Sequence, residues 1–137
     1  MTAAPSTATV RRLSPVLLVD AIEPCLAFWT DRLGFARTAE VPHGDALGFV
    51  ILEKDGIEIM YQTRASAAED IPALAGAAGG PAGGPALFIE VSDVAAAERA
   101  LDGADIVVPR RTTFYGMDEV GAREPGGTVV VFAQKTA

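Results

Sequence analysis

Two stretches of this chain run through the same signals in the same order. The first, SPVLLVDAIEPCLAFWTDRLGF, begins at Ser14, and the second, ALFIEVSDVAAAERALDGADI, begins at Ala86, an offset of 86 − 14 = 72 residues. Each opens on a short apolar run, meets acidic residues, continues with helical spacing and stops near a glycine. A repeat of this length predicts two copies of one supersecondary unit that share a core.

The helix in each copy has a local cause. Pro24 fits a first turn, where a missing N–H costs little. Leu26, Trp29 and Leu33 then share one face, and Gly34 is a stop. In the second copy Ser92 or Asp93 supplies the N-cap, Val94, Ala97 and Leu101 face inward, and Gly103 ends the helix. Three strand-like segments follow each helix: 36–41, 46–53 and 57–63, then 106–110, 117–123 and 128–134. Asp55-Gly56 is a hairpin signal, and Pro125-Gly126-Gly127 supplies the corresponding turn. Each module is therefore read as βαβββ, over residues 12–63 and 86–134. The joining stretch is 64–85. Within it, Ser66-Ala67-Ala68-Glu69 is a capping-box pattern that predicts a helix to residue 75. GAAGGPAGGP then reads as a flexible spacer, with a lid over a cavity as the rival role.

Composition narrows the function classes. The length of 137 residues suits one domain, and 50% hydrophobic residues can furnish a core. A net charge of −7 opposes binding to phosphate backbones, and the compact basic pairs Arg11-Arg12 and Arg110-Arg111 are too short to track one. No apolar run approaches the roughly 20 residues of a membrane span. Residues 1 to 10 read as a disordered tail without the apolar stretch of a secretory signal. The expected compartment is the cytoplasm, in keeping with a lone cysteine, Cys25. Neither nucleic acid nor membrane is an expected partner.

The motifs Phe28-Trp29 followed by Leu33-Gly34-Phe35, then Leu87–Asp93 (LFIEVSD), then Tyr115–Phe132 (YGMDEVGAREPGGTVVVF) resemble the glyoxalase/bleomycin resistance protein/dioxygenase family of the vicinal-oxygen-chelate superfamily. The resemblance runs from about residue 12 to residue 134. It implies an α+β fold in which the two modules form a curved, barrel-like mixed sheet with helices on the outer face. It also implies a homodimer in which modules of both subunits complete each cavity.

Metal-dependent members of that family place His, Gln or Glu on four strands. Carried over by motif, those positions fall on Ser14, Glu58, Ala86 and Val131. One carboxylate cannot replace the three protein ligands a catalytic divalent ion usually takes. The sole histidine, His43, matches none of the four positions. No metal and no cofactor are expected.

Strand alternation sends Met60, Phe88 and Glu90 to the same face as those four positions. Glu58, Met60, Phe88 and Glu90, with Phe114, Tyr115 and Met117 around Gly116, are the candidate ligand-binding residues. Glu58 is the expected polar anchor, and the aromatics are a stacking wall or a subunit contact. Arg110-Arg111 reads as a solvated strand end, with attraction of an anion as the rival, and a Cys25–His43 nucleophile pair is disfavoured. The functional expectation is a binding protein for a small hydrophobic or aromatic molecule. The alternatives are a lyase, isomerase or dioxygenase of the same superfamily with an atypical metal or acid/base site, and a dimer without ligand.

Overall fold

The computed structural model describes residues 4–75 and 84–136. The glycine-rich stretch 76–83, read above as spacer or lid, lies outside them. The elements are β1 (Val16–Val19), α1 (Glu23–Ala27, continued by a π-helical turn Phe28–Arg32), β2 (Ala36–His43), β3 (Ala46–Lys54), β4 (Ile57–Thr63), α2 (Arg64–Asp70), α3 (Pro72–Ala75), β5 (Leu87–Glu90), α4 (Val94–Ala100), β6 (Asp105–Thr112), β7 (Met117–Arg123) and β8 (Val129–Lys135). They form two four-stranded sheets of identical topology, β1-β4-β3-β2 and β5-β8-β7-β6. In each the first strand is parallel to the last, and the other pairs are antiparallel. The tandem βαβββ reading therefore holds, and within one chain the sheets stay separate and do not close into a barrel.

Several boundaries move for identifiable reasons. β1 starts at Val16 because Pro15 has no N–H for a ladder, although its carbonyl accepts from Met60 N at 3.0 Å. The capping box at Ser66 does not form. Thr63 is the cap, its hydroxyl accepting from Ser66 N at 3.1 Å, and the helix starts at Arg64. Ile71, which precedes Pro72, is extended and splits the expected helix into α2 and α3. Asp93, not Ser92, caps α4 through its bond from Ala96 N. Helix α1 widens into a π turn, so Cys25, Phe28, Trp29 and Leu33 are buried while Leu26 is only partly so.

Alternation divides each sheet into two faces. Leu17, Val19, Leu52, Ile59 and Tyr61 in the first, and Val120, Ala122, Val130 and Phe132 in the second, join one continuous core beneath the helices. Trp29 sits at its centre, edge-on to Phe28 at 5.2 Å and to Phe35 at 5.0 Å. The helix-covered faces are also the faces that meet. Tyr61 on β4 donates its hydroxyl proton to Glu124, which follows β7, at 2.7 Å. The open faces of the two sheets therefore do not enclose a common space within one chain.

Candidate functional site

Strand register assigns each open-face residue to a row. In the first sheet one row is Val16, Met60, Ile51 and Ala39, and the next is Leu18, Gln62, Phe49 and Val41. In the second sheet the corresponding rows are Phe88, Val131, Gly121 and Val108, then Glu90, Ala133, Glu119 and Arg111. Extending the register places Glu58 level with Ser14, and Val129 level with Ala86. Symmetry between the modules thus points to Val129, rather than Val131, as the counterpart of Glu58. Either valine lacks a donor atom, so the four positions offer one hydroxyl and one carboxylate. Among the described residues no group of three or more His, Cys, Asp or Glu side chains could hold a metal ion. This donor set does not fit the divalent ion that the fold family implies.

The sequence-derived candidates fall in three places. Glu58 and Met60 lie on the open face of the first sheet, both half-buried. Glu58 is not free: Arg12, from the irregular segment before β1, donates to its Oε1 at 2.7 Å. Its neighbour Ile59 is buried, whereas Ile57 stays exposed at the hairpin tip. Phe88 and Glu90 lie on the open face of the second sheet, where Phe88 is 56% exposed. Glu90 is 4.0 Å from Lys135. Phe114, Tyr115 and Met117 surround the β6–β7 turn, where Gly116 has a positive φ of 80° that favours glycine. Phe114 stands fully in solvent, edge-on to Tyr115 at 5.1 Å. One chain does not bring Glu58 and Met60 together with Phe88 and Glu90.

Sequence reasoning missed Glu119. Its side chain is 2% exposed although it points to the open face. Arg111 holds it with two nitrogens, Nε at 2.9 Å and Nη2 at 2.7 Å, both on Oε1. The Tyr115 hydroxyl donates to the same carboxylate at 3.2–3.3 Å. The signal lay in the alternation of MDEVGAR, which sets Glu119 and Gly121 opposite the core pair Val120 and Ala122. Arg110 points elsewhere and is occupied by Asp118 at 2.6 and 2.9 Å and by Glu98 at 2.9 Å. Those bonds hold the Asp118 carboxyl below, and the Arg110 guanidinium above, their ordinary values.

The junction between modules carries a second buried network. Trp29 Nε1 donates to the Tyr61 hydroxyl at 2.9 Å, and that hydroxyl donates to Glu124. Glu124 also accepts from Gly126 N and Thr128 N, which satisfies a carboxylate that has no cationic partner among the described residues. A Cβ on Gly126 would stand 3.0 Å from Cys25 Sγ and from Val19 Cγ1, so a glycine lets this turn close onto the first module. Burial, then the Glu124 charge, push the Cys25 thiol up to about 12. His43 is far from it in role, paired on the surface with Glu69 at 3.0 Å. A buried thiol whose proton is held this firmly is a poor nucleophile. Two clefts of about 540 and 610 Å³ flank the junction. Phe35, Lys54, Ile89 and Phe132 line the first, and Pro24, Phe28 and Arg123 line the second.

Comparison with known proteins agrees with this geometry. A structure of a glyoxalase/bleomycin resistance protein/dioxygenase from Nocardioides superposes with a TM-score of 0.74 at 18% identity, covering 95% of this chain and 87% of that one. A lactoylglutathione lyase from Agrobacterium tumefaciens gives 0.69 at 16% identity, covering 95% of each chain. TnmS3, an antibiotic binding protein from Streptomyces sp. CB03234, gives 0.66 at 16% identity, covering 96% of this chain and 100% of that one. At these identities the likeness is one of fold. A comparison with curated protein sequences found no significant match. The sequence model of the Glyoxalase/Bleomycin resistance protein/Dioxygenase superfamily matches residues 11–132, and the chain belongs to that superfamily.

Proposed function

We propose that this chain is a binding protein that holds a small hydrophobic or aromatic molecule against its open sheet faces, without a catalytic metal. The observation that carries this reading is what occupies those faces. Val16, Val41 and Phe88 are substantially exposed there, while Ser14, Ala86 and a valine stand at three of the four positions where metal ligands would be needed. An apolar concave surface with few polar groups suits an organic ligand. Glu58, the one carboxylate left from the ligand positions, is already paired with Arg12. TnmS3 offers a precedent on this fold for binding an antibiotic.

Each open face alone is half of a cavity. The reading therefore includes a homodimer in which the first sheet of one copy faces the second sheet of its partner, which covers apolar area that is unfavourable in water. Light scattering at micromolar concentration is expected to give twice the chain mass, and a monomer would count against this part.

The test of the ligand reading is a thermal-shift screen with planar aromatic compounds alongside metal analysis of the purified protein. A ligand that binds only the native state raises the melting temperature. Near-stoichiometric zinc, nickel, iron or manganese, removable by chelator with loss of an activity, would overturn the metal-free reading.

A further inference from the structure

The Arg111–Glu119 pair is costly where it stands. Glu119 is a carboxylate almost wholly withdrawn from water, and hydrophobic residues often replace a buried ion pair without loss of stability. The fold itself offers that replacement. In the corresponding row of the first sheet, the counterparts of Glu119 and Arg111 are Phe49 and Val41. The architecture therefore does not require charge at this position.

The pair does fix a guanidinium. Two nitrogens of Arg111 are bound to Glu119 Oε1, and the side chain is still 59% exposed, which leaves N–H groups of a planar fork directed outward. The Tyr115 hydroxyl braces the same carboxylate, with Phe114 edge-on to its ring. Between Arg111 and Val108 on one edge of the sheet and Phe88 and Glu90 on the other, Gly121 and Ala133 are buried, and Val108 Cγ2 stands 3.0 Å from where a Cβ on Gly121 would be. Phe88, on the opposite edge strand, and Phe114, after β6, expose aromatic surface, which suits a planar ring whose polar substituent meets the fork.

We infer that Arg111, held in place by Glu119 and Tyr115, is the specificity-determining residue of the second sheet's open face, and that it selects a planar aromatic molecule bearing an anionic oxygen. This rests on the reading of that face as a small-molecule site and adds the charge of the ligand to it. Arg110, only one residue away, takes no part, because its guanidinium is consumed by Asp118 and Glu98.

The test compares two probes of matched shape, anthraquinone-2-carboxylate and anthraquinone-2-carboxamide, by calorimetric titration of the full chain at low salt. The carboxylate is expected to bind about tenfold tighter, the scale of a charge-assisted, forked hydrogen bond. Arg111→Gln alone would strand Glu119, so the decisive variant is R111Q/E119Q, which removes both charges and retains amide hydrogen bonding. In it the ratio of the two affinities is expected to fall to about one, while R110Q keeps the wild-type ratio. Equal affinity of the wild type for both probes would overturn the anion assignment and leave the small-molecule reading standing. Preference for the carboxylate that survives in R111Q/E119Q would also overturn it. Binding of neither probe at millimolar concentration would overturn the assignment and the reading beneath it together.

Discussion

Each sheet carries one arginine–glutamate pair on its open face, and the two pairs form a near-controlled comparison. Arg12–Glu58 and Arg111–Glu119 have the same N···O distance, 2.7 Å, and both arginines are 59% exposed. They differ in the carboxylate, which is 19% exposed in Glu58 and 2% in Glu119. They differ also in the arginine's support, an irregular segment before β1 for Arg12 and strand β6 for Arg111. Distance alone therefore does not rank them. Desolvation of the acid makes the second pair one that must not be broken singly, whereas water can replace either partner of the first. Glu124 extends the series, being buried like Glu119 but held only by hydrogen-bond donors.

The largest effect is expected at Glu124. Glu124→Leu leaves the Tyr61 hydroxyl and the N–H groups of Gly126 and Thr128 without their acceptor, at roughly 1–3 kcal/mol for each buried orphan. We expect a loss of about 3–4 kcal/mol in urea unfolding, after partial relaxation. Counting along the aligned strands, the counterpart of Glu124 in the first module is Lys54, which donates to Leu33 O at 2.7 Å and is exposed. Lys54→Ala is expected to cost about 1 kcal/mol or less. Equal losses would remove the distinction between the two junctions.

Next comes Arg111→Val, which strands a buried carboxylate and is expected to cost about 2–3 kcal/mol, tempered by the exposure of the arginine. The double change R111V/E119F writes the Phe49–Val41 pair of the first sheet into the second. It is expected to recover stability to within about 1 kcal/mol of wild type. If the double variant is no more stable than the single, burial of Glu119 is not the source of the cost.

A third expectation concerns the buried thiol beside Glu124, whose pKa is raised first by burial and second by the Glu124 carboxylate. Cys25 lies against it, with its thiol raised to about 12 from an ordinary value near 9. The folded state thus holds the proton more tightly than the unfolded state. The resulting stability is fully present below the unfolded pKa and is lost as pH rises toward the folded one. Between pH 8 and pH 10 the protein is expected to lose about 1 kcal/mol through this group. In Cys25→Ala that part of the alkaline slope is absent, and an unchanged slope would show that the thiol does not contribute.

The sequence made the modules legible because their signals are local and repeated: Pro24, Gly34, Asp55-Gly56 and the turn at Gly126 each act within a few residues. β4 and β7 fall where alternation put them. What was not legible depends on contacts distant in sequence. Nothing near Tyr61 announces Glu124, 63 residues away, or that the helix-covered faces meet there. Nothing near Glu58 announces that Arg12, 46 residues away, reaches it. Glu119 was within reach of alternation, but its burial depends on Arg111 and Tyr115 folding over it, which a single strand does not display.

The smallest effect is expected at the Arg12–Glu58 pair, and its smallness is the point of the comparison. Arg12 precedes β1 in a segment without regular structure, where Val10 and Leu13 are also exposed. Ordering a long side chain on such a segment costs rotamer freedom that offsets much of the attraction in a high-dielectric setting. Arg12→Ala is expected to change unfolding free energy by about 0.5 kcal/mol or less, and by still less at high salt, where exposed charges are screened. Arg111→Val is expected to retain most of its larger cost in the same salt, because the stranded acid is shielded from ions as well as from water. Measuring both variants at low and at high salt therefore separates attraction from desolvation for two pairs of equal length. A loss above about 1.5 kcal/mol for Arg12→Ala would mean that the segment before β1 is held far more firmly than its exposure suggests. In that case Glu58 would have to be regarded as a fixed part of the first sheet's open face, its charge permanently covered, and the first sheet would present an apolar surface opposite the charged row of the second.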